Sequence, residues 1–174
     1  MHSYLSEQLD QALKSHLAKN DCLPILVIIG IGNELNGDDA AGVILTQKLK
    51  KAISNSDQVK LIEASIAPEN FTGVIRDYCP DWLWIFDAAE MGQKSGTLQL
   101  IDLDQLDSIG ANTHRISPTM FLSYLQLELD FRTFFFGIQP VSVEPFSDMS
   151  SPVKRTIQTT TNFLLQWLRN TYNI

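Results

Sequence analysis

The run "LPILVIIGIG", residues 23–32, followed at once by "NELNGDD", residues 33–39, constrains the fold more than any other stretch. Ten almost uninterrupted apolar residues, rich in Ile and Val, fit a strand buried on both faces, and such strands are central members of parallel sheets. Gly30 and Gly32 allow a tight turn, and the Asn36–Asp39 polar group supplies start chemistry for a helix from about 38 to 53. This β-turn-α unit requires a covering layer on each side of the sheet, because neither strand face can meet water.

The same alternation continues along the chain. "VKLIEAS" reads as a second strand and "PENFTGVIRDYC" as a helix with Pro68 in its first turn. "DWLWIFDAAE" reads as a third buried strand, and "SGTLQLIDL" as a shorter strand suited to an edge. "SPTMFLSYLQLEL" reads as a helix opened by Ser117 and Pro118, "RTFFFGIQP" as a strand, and "SSPVKRTI" as the start of a long final helix with Pro152 near its first position. The spacing of Leu5, Leu9, Ala12, Leu13 and Leu17 predicts an amphipathic helix over residues 3–19, packed on the domain, with His16 beside the apolar stripe at the helix end. The expected fold is α/β, a three-layer, doubly wound, mostly parallel sheet with helices on both faces, in one domain spanning residues 1–174.

Composition narrows the function classes. Charged residues are 19% of the chain and hydrophobic ones 44%, which suits a globular domain with a sizeable core. A formal net charge of -7 opposes any role in neutralising a phosphate backbone, so nucleic acid is not an expected partner. No apolar run reaches the ~18 residues of a membrane span, and the charged N-terminal stretch lacks a signal-peptide core. Cys22 and Cys79 form no metal-type pair. A reducing cytoplasm is the expected compartment.

Ligands of open α/β sheets bind beyond the carboxyl ends of the strands. That rule selects Asn33, Asp38 and Asp39 after the first strand, Asp87 at the end of the third, and Gln139 after the strand ending near Gly137. A dinucleotide fingerprint fails, because Leu35 stands where the third glycine is required and Asp38 and Asp39 would repel a pyrophosphate. Either aspartate alone is adequately explained as a helix-start carboxylate. Together they suggest a division, with Asp38 capping the helix and Asp39 facing the crevice. Asp87 can equally be a turn residue, but a carboxylate ending "WLWIF" is expected to be partly buried and then needs a cation or N–H donors. His114, after the polar segment 102–113, can simply be exposed. With Asp39 and Asp87 it would complete an open three-ligand site for a borderline divalent ion such as nickel or zinc. No nucleophile elbow or catalytic cysteine signature is present. Ser65 and Ser117 suit capping, and Asp102, Asp104 and Asp107 a solvated loop.

The pieces "GIGNELNGDDAAGV", "ASIAPEN", "FDAAEMG", "THRISP", "FFFGIQP" and "SSPVKRTI" together resemble the maturation endopeptidases of nickel-iron hydrogenase large subunits. "APEN" and "GIQP" are similar to the branch that serves hydrogenase 3, the formate hydrogenlyase type. The resemblance implies a hydrolase that cuts a C-terminal extension from the large-subunit precursor after nickel insertion. It also implies Asp39, Asp87 and His114 as the functional trio, Asp39 and Asp87 as catalytic carboxylates, and nickel supplied by the precursor. Gly30, Gly32, Asn33, Asp38 and Gln139 would support the site. The helix over 3–19 is extra to the family pattern, and "THRISP" departs from it before the proline. Two other readings remain at this point: a metal-binding chaperone of the same precursor, and a peptidyl-tRNA hydrolase-like enzyme, whose glycine turn is similar but whose basic surface the charge of -7 does not supply.

Overall fold

The structure, a computed structural model, describes residues 2–53, 56–108 and 117–174. Five strands, β1 (Leu26–Ile31), β2 (Val59–Ser65), β3 (Trp82–Ala88), β4 (Leu98–Ile101) and β5 (Arg132–Ile138), form one sheet in the order β2-β1-β3-β5-β4. β1 runs parallel to β2 and β3, and β3 parallel to β5. Only β4 is antiparallel, at the edge beside β5. All six residues of β1 are buried, as are the first five of β3, which is what continuous apolar runs demand.

Alternate side chains of these strands feed two separate cores. Leu26, Ile28, Trp82, Trp84, Phe86, Phe134 and Phe136 pack with α1 (His2–Leu17), α2 (Ala41–Ala52) and α5 (Ser151–Tyr172). Val27, Ile29, Ile31, Leu83, Ile85 and Phe135 pack with α3 (Thr72–Tyr78) and α4 (Pro118–Gln126). The three-layer, doubly wound arrangement expected from the sequence is therefore present. Aromatic pairs reinforce the first core: Phe86 stacks on Phe136 at 4.6 Å between centroids, and Trp84 meets Trp167 at 5.4 Å.

α1 is a structural cover. Leu5, Leu9 and Ala12 are buried in the first core, and the Trp167 indole N–H donates to Asp10 Oδ1 at 2.8 Å. Leu17, predicted to belong to the stripe, is instead exposed, because it is the last residue of the helix and lies past the packed surface. His16 sits edge-on to Trp82 at 6.0 Å. Helix starts also differ from the sequence pattern. Both α2 and α3 are preceded by 3-10 turns, Gly37–Ala40 and Pro68–Phe71, so each α-helix begins later than its first polar signal. Ser117 and Ser150 do cap α4 and α5, accepting the N–H groups of Met120 and Val153.

β1 is followed by a crossover to β2 on one side, while β3 lies on its other side. The topological switch point thus falls between β1 and β3, and their carboxyl ends frame the crevice where an open α/β sheet binds its ligand.

Candidate active site at the switch point

The loop leaving β1 is built by backbone constraints. Gly32 has φ 140°, and a Cβ there would lie 1.8 Å from the Asp39 carbonyl oxygen. A side chain is therefore excluded, and the loop folds directly back over Gly32. The Asn33 side chain accepts the Leu35 N–H at 3.0 Å, while the Asn33 N–H donates to Asp39 Oδ2 at 3.0 Å. These two bonds hold Asp39 against the start of the turn. Asp39 is 5% exposed, so its carboxylate is desolvated and fixed rather than waving in solvent.

Helix α2 joins this loop to the neighbouring strand. A Cβ on Gly42 would lie 2.0 Å from the Phe86 carbonyl oxygen and 2.5 Å from that of Ile31. The first turn of α2 consequently rests astride the ends of β1 and β3. Asp39 stands three residues before Gly42, and Asp87 directly follows Phe86. Asp87 is half-buried and pairs in register with Gly137 of β5. The two predicted carboxylates therefore come from adjacent strand ends at one edge of the sheet. His114 lies outside the described residues, and among those residues no three His, Cys, Asp or Glu side chains converge as a metal-binding cluster.

Asp38 corrects one expectation. It does not cap the helix that follows it: the 3-10 turn has no side-chain cap bond, and the N-cap position of α2 itself is Ala40. Gly37, at φ 56°, turns the chain so that Asp38 faces the β5–α5 connection. Its Oδ2 accepts the Val141 N–H at 2.7 Å and its Oδ1 the Ser150 N–H at 2.7 Å. The Asp38 N–H in turn donates to the Ser142 carbonyl at 3.2 Å. A carboxylate that is 1% exposed satisfies two distant backbone donors and locks one wall of the crevice to the other.

Gln139 is an organiser of the opposite rim. Its Oε1 accepts the N–H groups of Met91 and Gln93 at 2.8 and 3.1 Å, and its Nε2 donates to Glu90 Oε1 at 2.9 Å. With both ends of the amide occupied, Gln139 holds the loop after Asp87 in place.

Two contributors were not singled out from the sequence. Gly42 had a readable signal, since glycine inside a helix is unfavourable by roughly 1 kcal/mol relative to alanine and so marks a close backbone approach. Glu90 had none, because its partner Gln139 lies 49 residues away.

The segments that build the rim are rich in acids. Segments 27–47, 84–93 and 133–153 contain Glu34, Asp38, Asp39, Asp87, Glu90, Glu144 and Asp148, and no Lys, Arg or His. Clustered carboxylates of this kind suit a cation better than an anion. Asp39 and Asp87 offer hard oxygen donors to such a cation, or a base to a water molecule beside it.

Comparison with known proteins agrees with this architecture. The profile of the HycI family, described as hydrogenase maturation protease, matches residues 43–167. The hydrogenase 3 maturation protease of Escherichia coli K12 is 35% identical over 145 residues, covering 83% of this chain and 91% of that protein. The crystal structure of the HycI hydrogenase maturation protease from Thermococcus kodakarensis superposes with a TM-score of 0.76 at 27% identity, covering 84% of this chain and 94% of that one. The solution structure of the endopeptidase HycI from Escherichia coli gives 0.69 at 30% identity, covering 82% and 90%. With matches in sequence and in fold running through most of its length, this chain belongs to the hydrogenase maturation protease family.

Proposed function

We propose that this protein is the endopeptidase that removes a C-terminal extension from the nickel-loaded precursor of a nickel-iron hydrogenase large subunit. In this reading Asp39, Asp87 and His114 face the nickel that the precursor carries, so the metal belongs to the substrate. The observation that supports the reading most is a pair of acidic residues beyond neighbouring strands, Asp39 in the turn that leads from β1 into α2 and Asp87 at the end of β3, with the first turn of α2 resting on both strand ends. A metal-bearing partner that closes on this site brings these carboxylates a cation to bind. A precursor without nickel would lack that attraction, which makes metal loading a condition for cutting.

The chemistry required is peptide hydrolysis. Water adds to the scissile carbonyl carbon, the C–N bond breaks, and the departing amine takes a proton. Asp39 is suited to accept the proton of the attacking water, because the Asn33 N–H fixes its carboxylate. Asp87, at the end of a rigid strand, is suited to position the metal-bearing segment. His114 would complete the ligand set with a nitrogen donor, which matches the borderline character of nickel.

The test is single-turnover cleavage of the nickel-loaded precursor by Asp39→Asn, Asp87→Asn and His114→Ala. Each is expected to slow release of the C-terminal peptide by on the order of 100-fold or more while the protein stays folded. Cleavage at the unmutated rate by Asp87→Asn would remove the basis of the assignment.

A further inference from the structure

The β5–α5 connection carries an unusual feature. Phe146 is 86% exposed and has φ 59°, a left-handed conformation that a bulky residue adopts only when its surroundings impose it. The imposing bonds are visible. The Phe146 N–H donates to the Leu35 carbonyl at 2.7 Å, the Ser147 hydroxyl donates to the Glu144 carbonyl at 2.7 Å, and Asp38 grips both ends of the connection through Val141 and Ser150. The fold thus holds an aromatic ring out in water on a fixed mount, where a flexible loop would turn it inward.

Phe146 is not alone. Leu35 is 61% exposed, Val141 57% and Val143 39%, and all four residues lie on the two segments that Asp38 ties together. Four exposed apolar residues on two segments bonded to each other are a composition suited to a protein interface. Exposed acids flank it, namely Glu34, Glu144 and Asp148, with no Lys or Arg anywhere in 27–47 or 133–153.

From this we infer that the Leu35–Val141–Val143–Phe146 rim is the docking surface for the substrate protein, and that it takes an apolar segment flanked by Lys or Arg on the large-subunit precursor. The inference rests on the proposed protease function for the identity of the occupant. Two observations select that occupant. The rim is continuous with the catalytic loop, since Leu35 lies four residues before Asp39 in the same connection, so a protein bound at Asp39 has the rim beside it. The exposed charges within the two segments, Glu34, Glu144 and Asp148, are negative, so the complementary partner carries positive charge beside its apolar contact. Phe146 is the anchor, because it is the largest apolar side chain of the rim and its backbone is already held in place.

The test compares the unmutated protein with the double variant Val143→Ser/Phe146→Ser, and with Tyr4→Ser on α1 as a control for loss of any exposed aromatic. Both changed rim positions are exposed and Phe146 keeps its backbone bond, so thermal midpoints should match. Precursor affinity is read by biolayer interferometry and cleavage by KM and kcat. The double variant is expected to raise Kd and KM at least about tenfold with kcat unchanged, and Tyr4→Ser to change neither. Glu144→Lys/Asp148→Lys is expected to weaken binding as well, with a smaller dependence on ionic strength than the unmutated protein shows. Unchanged Kd and KM in the rim variant would overturn the docking surface. Binding of the precursor by unmutated protein with no cleavage would overturn the protease reading, while the Kd comparison would still decide the surface. No binding at all by unmutated protein would overturn both.

Discussion

The carboxylate of Asp38 holds the N–H of Val141 at 2.7 Å, across 103 residues of sequence, and with its second oxygen the N–H of Ser150. This relationship makes the crevice a single mechanical unit: the turn after β1 and the connection after β5 cannot move apart without breaking both bonds to a buried carboxylate. Asp39, the adjacent residue, inherits its fixed position from that anchorage.

Removing the anchor should therefore cost stability directly. Asp38→Ala leaves two part-buried backbone donors without their acceptor, and the loss should be roughly 1–3 kcal/mol. Urea unfolding would show it as a lowered midpoint at unchanged slope. A loss under about 0.5 kcal/mol would mean that water replaces the carboxylate, and that the wall is held by other contacts.

Gly42 predicts a steric effect of different origin. A methyl group added at this position would collide with the backbone carbonyls of Phe86 and Ile31, which cannot rotate away as a side chain would. Gly42→Ala should destabilise by at least about 2 kcal/mol, despite the better helix propensity of alanine. It should also slow cleavage, since the same collision pushes the start of α2 off the strand ends that carry the acids. Thermal unfolding together with a cleavage rate would separate the two consequences.

Most of the fold was legible because its signals are local. The apolar runs of β1, β3 and β5 declare burial on both faces, Ser117 and Ser150 announce their helices, and the short "TLQLI" piece reads correctly as an edge. The Asp38 tie was not legible, because nothing near Asp38 indicates partners 103 and 112 residues away, and capping its own helix was the simpler local expectation. Leu17 misled for a related reason: periodicity assigns a face but not where the covering surface stops. The strand-end rule selects Asn33, Asp38, Asp39, Asp87 and Gln139 together and does not by itself separate the supporting residues from the two proposed acids. Their support by Gly42, Gln139 and Glu90 depends on close approaches that only three dimensions display.

The N-terminal helix offers a further test of its role as a cover. Leu9 is fully buried against the sheet and α5 core. Leu9→Ala should lower stability by about 2–5 kcal/mol through lost burial and the cavity left behind. Differential scanning calorimetry measures this, and an unchanged melting temperature would indicate that α1 is detached in solution.

Alkaline pH probes the same layer. The Tyr172 hydroxyl donates to the Pro24 carbonyl at 3.0 Å, and burial, followed by the nearby charge of Asp81, raises its phenol above the ordinary value. The folded pKa exceeds the unfolded one, so the stability contributed by the neutral phenol is complete below about pH 10 and declines as pH rises beyond it. Tyr172→Phe should cost on the order of 1 kcal/mol at pH 7 and show a shallower fall between about pH 9 and 11. Parallel pH profiles for the two proteins in urea melts would contradict this assignment.

The most direct test of the central claim is intact-protein mass spectrometry of a hydrogenase large-subunit precursor, incubated with this protein with and without nickel, alongside Asp39→Ala and Asp87→Asn. The predicted result is loss of one C-terminal peptide only when nickel is present and both aspartates are intact. Shortening of the nickel-free precursor at the same rate, or by either variant, would contradict the account of Asp39 and Asp87 as the acids that read a substrate-borne metal.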